Sequence, residues 1–181
     1  MKKKELFSSQ DLEITLDRLC HQLLENHNDF KDTVIIGLQP RGIYLARRLH
    51  KKISVLTKNK HIPFGELDAT FYRDDFRKRA TVLPKTMNMN FIIEDKKVIL
   101  IDDVLHTGRT IRAGLDALLD FGRPRKVELL VLIDRRFSRD LPIQPDYVGK
   151  RIDTRVSQNV RAEWKETEGN DRVWLILNDE R

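Results

Sequence analysis

The chain has 181 residues, 40% hydrophobic and 7% aromatic, which suits one folded domain and excludes a disordered or low-complexity chain. Basic residues number 34 and acidic ones 28, and the net charge of +6 favours anionic partners such as phosphates, nucleotides or RNA. No apolar run approaches the ~20 residues of a membrane span, and a single cysteine, Cys20, rules out an intrachain disulfide.

In chain order, Met1-Lys2-Lys3-Lys4 opens like a secretory signal, but no apolar stretch follows, so it is expected to be a solvated, frayed terminus. With the lone thiol, this predicts a cytoplasmic protein. Ser8-Ser9-Gln10-Asp11 reads as a capping box. Leu12, Leu16, Leu19, Cys20, Leu23 and His27 follow it at helical spacing, predicting an amphipathic helix over 9–27. Val34-Ile35-Ile36-Gly37 predicts a buried parallel strand, and residues 42–52 a helix with Ile43, Leu45, Ala46 and Leu49 inward. Strand-like content at 62–72 leads into a polar stretch, 73–90, broken by Pro84, of a length that is usually functional.

Val98-Ile99-Leu100-Ile101 predicts a second buried strand. A helix over 110–121 is closed by Gly122 and Pro124, and a third buried strand follows over 127–133. Residues 134–158 read as irregular and basic, and the runs 160–167 and 172–177 as a terminal hairpin in which Trp164 and Trp174 pack. Short apolar strands alternating with helices argue for an α/β fold around a parallel sheet, with ligands beyond the carboxyl ends of the strands.

Chemistry concentrates in one stretch: Val98, Ile99, Leu100, Ile101, Asp102, Asp103, Val104, Leu105, His106, Thr107, Gly108, Arg109 and Thr110. A dry strand delivers two adjacent carboxylates. Five residues after Asp102 come Thr107-Gly108-Arg109-Thr110 at a helix start, where small and hydroxyl residues expose backbone N–H groups to an anion. An anion cradle with two acids beside it suits a ribose 5-phosphate. No HExxH occurs among the five histidines, and neither GxxxxGK[ST] nor GxGxxG is present, which sets aside zinc hydrolases, P-loops and dinucleotide folds.

This stretch resembles the phosphoribosyl-pyrophosphate (PRPP) loop of type I phosphoribosyltransferases. Pro40-Arg41-Gly42-Ile43-Tyr44-Leu45-Ala46, Phe71-Tyr72-Arg73-Asp74-Asp75, Leu141-Pro142-Ile143 and Asp146-Tyr147-Val148-Gly149-Lys150 extend the resemblance along nearly the whole chain. They narrow it to the PyrR family, which combines pyrimidine-operon regulation with uracil phosphoribosyltransferase activity. The resemblance implies a type I phosphoribosyltransferase fold: one domain over 1–181, a mobile lid at about 73–91, and a C-terminal hairpin at about 160–178. It implies transfer from PRPP to uracil, giving UMP and pyrophosphate, with Mg2+. A UMP-responsive RNA attenuator with little catalysis, and a transferase acting on another base, are the alternatives.

By the same resemblance, Asp102 and Asp103 face the ribose and hold the metal indirectly, through substrate or water. Thr107 to Thr110 hold the 5-phosphate, and Arg41 and Gly42 meet the pyrophosphate. Arg73, Arg77 and Lys78 belong to the lid. Asp134, Arg135 and Val148 lie near the base, and Arg18, His21, Arg139 and Lys150 match a basic RNA face. Asp17, Asn26 and Gln144 stand where the family has a threonine and two arginines, and Gln39-Pro40 where it has Lys-Thr. A homo-oligomer is expected by resemblance alone.

Overall fold

A computed structural model describes residues 2–72, 89–154 and 158–177. Its elements run β1 (Lys2–Phe7), α1 (Ser9–His27), β2 (Thr33–Leu38), α2 (Gly42–Thr57), β3 (Phe64–Leu67), β4 (Lys97–Leu105), α3 (Arg109–Leu118), β5 (Lys126–Arg136), β6 (Tyr147–Asp153), β7 (Gln158–Glu163), α4 (Lys165–Glu168) and β8 (Arg172–Leu177). The expected lid residues Arg73, Arg77 and Lys78 lie outside the described residues, as do residues 155–157.

Strands β3-β2-β4-β5-β6, in that spatial order, form a parallel sheet. Every residue of β2 is buried, as a strand covered on both faces requires. Alternate side chains feed two cores. Ile35, Ile99 and Ile101 pack with α1 and α2 on one face, while Val34, Ile36, Val98 and Leu100 pack with α3 on the other. The capping box forms as expected: Ser8 Oγ accepts from the Asp11 amide at 3.2 Å, and the Ser8 amide donates to Asp11 Oδ2 at 3.0 Å.

The structure corrects four expectations. Lys2–Phe7 is no frayed end but pairs antiparallel with β8, from Lys2 opposite Leu177 to Phe7 opposite Val173. Its lysines stay exposed on an edge strand, where polar side chains remain solvated while the backbone bonds. Within 134–158, residues 147–153 form β6, a sheet-edge strand whose outward Lys150 and Arg151 mask its pattern. Helix α2 runs on to Thr57 because Ile53 continues the inward stripe of Leu45 and Leu49. Of 62–72, only Phe64–Leu67 is strand; the Thr70 amide then donates to Asp68 Oδ1 at 2.9 Å and starts a turn.

The C-terminal strands pair antiparallel, as the hairpin reading expected, and β1 completes a sheet ordered β1-β8-β7. Trp164 anchors that sheet. It is fully buried beside Tyr44, with the Arg48 guanidinium 5.1 Å from its ring centre. Trp174 is half-buried instead, and donates from Nε1 to Glu163 Oε2 at 2.8 Å.

Candidate active site

The connection after β2 leads to α2 on one face of the sheet, and the connection after β4 leads to α3 on the other. Neighbouring parallel strands whose connections part to opposite faces leave a crevice at their carboxyl ends. Here β2 and β4 are those neighbours. One wall is Gln39-Pro40-Arg41-Gly42, with a cis peptide between Gln39 and Pro40. The other is Asp102 to Thr110.

The walls touch. A methyl group at Gly42 would lie 2.6 Å from the Ile101 carbonyl oxygen and 2.8 Å from Asp102 Cα. Only a residue without Cβ lets the start of α2 meet the acid-bearing strand so closely.

Asp102 and Asp103 are both buried. Each carboxylate turns along its own chain: the Asp103 amide donates to Asp102 Oδ1 at 2.9 Å, and the Val104 amide to Asp103 Oδ1 at 2.8 Å. The alternation of the strand breaks here. Ile99 and Ile101 belong to the α1–α2 core, and Val104 packs against that same core, whereas strict alternation would send it to the other face. Burial pushes the Asp103 carboxyl up, while its hydrogen bonds and the charge of Arg41 across the crevice oppose the push. Two adjacent acids held in a dry crevice are poised to act on positive charge.

Beyond Leu105 the chain turns at Gly108, whose φ of +91° is left-handed, and α3 begins at Arg109. Thr107 Oγ1 accepts from the Arg109 amide at 3.4 Å. The first-turn amides of α3 have no carbonyl within the helix to bond, so they face outward as donors. The turn is braced from below: the Thr107 carbonyl accepts from the amides of Asp140 and Leu141 at 3.0 and 3.2 Å. Arg109 Nε reaches Asp140 Oδ2 at 3.0 Å. His106 is half-buried; burial, then the Arg135 charge, hold it below its usual 6.5.

Arg139 is the structural key of this turn. Its guanidinium donates to the carbonyls of Leu105 (3.3 Å), Arg135 (3.0 Å), Ile143 (3.1 Å) and His106, and to Asp134 Oδ1. A residue expected on an RNA face thus binds the PRPP-type turn to the loop after β5. Nothing in its position along the sequence signals this, because its partners are backbone carbonyls.

The base candidates are placed unequally. Asp134 is buried between Arg139 and Arg151, the latter at 3.6 Å. Arg135 is 2% exposed and ties β5 to the C-terminal sheet, donating to Thr154 Oγ1 at 3.0 Å and the Gln158 carbonyl at 2.7 Å. Both side chains are engaged within the fold. Val148 stands opposite Val131, three positions short of the Asp134–Arg151 pair, or about 10 Å from it along the sheet. Its carbonyl accepts from Arg18 at 3.1 Å, while its side chain packs against the α3-side core, in the same row of the sheet as Asp102.

Arg18 and Lys150 come close together: Arg18 also donates to the Gly149 carbonyl at 2.6 Å, and Lys150 donates to the Leu6 carbonyl at 3.1 Å. His21 is exposed on the same helix as Arg18. Two of the substituted positions have partners within the chain: Asp17 pairs with Lys52 at 2.7 Å, and Asn26 donates to the Tyr147 hydroxyl at 3.1 Å.

The group that sequence reasoning missed is Glu168, which pairs with Arg41 at 2.5 Å. Its only sequence signal is a short acidic connection, Glu166, Glu168 and Asp171, which in the fold meets Arg41 and Arg48.

A parallel sheet whose crevice joins two buried acids to an amide-lined turn defines a phosphoribosyl-transfer architecture. Consistently, the family model of the phosphoribosyl transferase domain matches residues 2–167. The relatives carry the assignment further. The Bifunctional protein PyrR of Enterococcus faecalis is 42% identical over 180 residues, covering 99% of this chain and all of that protein. The Bifunctional protein PyrR of Bacillus subtilis is 41% identical, with 98% of both chains covered. The chain therefore belongs to the PyrR family of phosphoribosyl transferases. Among solved structures, a hypoxanthine phosphoribosyltransferase from Staphylococcus aureus shares the fold, with a TM-score of 0.71 at 22% identity over 97% of this chain and 93% of that one.

Proposed function

We propose that the protein is a uracil phosphoribosyltransferase that forms UMP and pyrophosphate from uracil and PRPP. The observation that supports it is the contact between Gly42 and the strand carrying Asp102 and Asp103, beside the turn at Gly108. One crevice thereby offers a 5-phosphate cradle, a pair of acids for the ribose, and a cation-bearing loop for the leaving diphosphate.

Transfer passes through an oxocarbenium-like state, positive on the ribose and negative on the departing diphosphate. Asp102 and Asp103 oppose the first charge and Arg41 the second. Burial strengthens both interactions, because little water screens them. The α3 amides and the hydroxyls of Thr107 and Thr110 fix the sugar phosphate, so the ribose carbon meets the base in one orientation. Neither Asp134 nor Arg135 offers a side chain to the base; main-chain groups at the end of β5 read it.

Mg2+ fits this site through the substrate. No cluster of three or more metal-ligating side chains occurs among the described residues, and Mg2+ is typically held by one or two carboxylates plus substrate oxygens and water. Asp102 and Asp103 would hold its shell, and the ion would neutralise charge on the diphosphate.

The test measures UMP formation from radiolabelled uracil and PRPP, with guanine and hypoxanthine as competing bases. Turnover of uracil alone is expected; turnover of a purine in its place overturns the base assignment.

The second activity in the proposal is pyrimidine-operon regulation through RNA, supported by full-length relatives named bifunctional. With Arg139 turned inward, such a face rests on Arg18, His21 and Lys150. A gel shift against the protein's own pyrimidine-gene leader RNA is expected to be stronger with UMP and weaker with added salt. No shift at physiological salt removes this activity.

A further inference from the structure

Arg41 closes the crossing from β2 to α2, yet its guanidinium is anchored far along the chain. One terminal nitrogen donates to the Ala162 carbonyl, and the other to Glu168 Oε1 at 2.5 Å. Glu168 is the last residue of α4, in the connection from β7 to β8, and lies 127 positions along the chain from Arg41.

The acceptor is itself held in place. Glu168 Oε2 accepts from the Trp164 amide at 2.9 Å and from the Thr167 hydroxyl. Trp164 is fully buried, so the core sets the position of the carboxylate. Arg161 adds a second cation 3.6 Å from Oε1. The pair is sheltered, with side-chain exposures of 33% for Arg41 and 19% for Glu168. Burial pushes Glu168 up, but hydrogen bonds from Thr167, the Trp164 amide and Arg41 outweigh it and hold the carboxyl at about 2.

This arrangement removes a cost of binding. A free arginine side chain carries rotamer entropy, which a ligand must overcome when it fixes the group. Here the rotamer is fixed beforehand, at a point where its charge already acts on Asp103. Two of the five guanidinium N–H groups serve Ala162 and Glu168, and an incoming oxyanion would meet those that remain.

We propose that Glu168 is a positioning residue for the substrate's diphosphate: it holds the Arg41 guanidinium at the crevice before PRPP arrives. The C-terminal sheet is then part of the binding machinery, not only a cover for the core. This rests on the reading of Arg41 as the cation for the diphosphate.

The experiment compares wild type, Arg41→Gln, Glu168→Ala, Glu168→Asp and the Arg41→Gln/Glu168→Ala double variant. It reads kcat, KM for each substrate, and the Kd for PRPP by calorimetry without uracil. Glu168→Ala is expected to raise KM and Kd for PRPP about tenfold. Its kcat and its KM for uracil should stay within about twofold, and Glu168→Asp should recover most of the loss. The double variant should match Arg41→Gln alone, because Glu168 acts through Arg41.

An unchanged Kd in Glu168→Ala beside a weakened Arg41→Gln overturns the positioning role and leaves Arg41 as the diphosphate cation. An unchanged Kd in Arg41→Gln overturns that underlying reading as well. A fall in kcat together with a rise in both KM values marks Glu168 as merely structural and overturns the proposal. If Glu168→Ala melts too low to assay, Glu168→Gln, which keeps an acceptor and drops the charge, reads the same split.

Discussion

At the amino edge of the five-stranded sheet, Glu128 Oε2 accepts from His27 Nε2 and from the Tyr147 hydroxyl, both at 2.8 Å. Its other oxygen accepts from Lys126 at 2.5 Å, and Asn26 donates to the Tyr147 hydroxyl. With Nε2 donating, neutral His27 must accept at Nδ1, where the Thr33 hydroxyl stands 3.2 Å away. At the carboxyl edge, Asp102 and Asp103 are buried to a similar degree, but the bonds they accept come from the next amide along the strand. The cation that acts on Asp103 belongs to a different loop.

The difference separates two uses of buried charge. Around Glu128, donors from α1, β5 and β6 converge, so the cluster fixes how those elements pack. Burial holds Glu128 up, yet Lys126, Tyr147 and His27 together bring it below its usual 4.5. At Asp103 burial wins and the carboxyl rises. The first cluster ties three elements together; the second, in the proposed reaction, would face a cationic substrate state.

The largest expected effect therefore falls on activity alone. Asp103→Asn keeps the shape and the Val104 amide contact but removes the charge, and kcat should drop by about 10²–10³. Its melting temperature should equal or exceed that of the parent, since a buried charge without full compensation costs stability. Turnover assays beside thermal melts check this. A near wild-type rate would break the contrast between the two edges.

The site was legible where chemistry is local in sequence. Asp102, Asp103 and the turn at Gly108 lie within seven residues of one strand and helix start, so spacing alone brought them together. The three buried strands and both helix faces followed from apolar periodicity for the same reason. What escaped depends on distant partners. Arg139 serves carbonyls of four different residues, and Glu168 meets Arg41 across 127 residues. Strand β1 was hidden because three lysines read as a solvated end, although a strand at a sheet edge needs only its backbone. The Glu128 cluster was invisible too: periodicity marked His27 as inward, but not what it faced.

That cluster supplies the converse prediction, smaller and confined to stability. Glu128→Ala strips a common acceptor from His27, Tyr147 and Lys126, and should cost about 3 kcal/mol while leaving KM for PRPP unchanged. Its pH dependence has a definite sign. Burial lowers His27 below its usual 6.5 despite the pull of Glu128, so the unfolded chain binds the proton more readily. That contribution is complete above pH 6.5 and is lost as the pH falls below it. Glu128, lowered from 4.5, adds a loss that begins below pH 4.5 and is complete once its folded value is passed. Wild-type stability from chemical denaturation should thus decline from pH 7 to pH 4, with the Glu128 part of the decline absent from Glu128→Ala. A profile in which Glu128→Ala and wild type stay parallel below pH 4.5 would mean that the carboxylate does not hold the amino edge together.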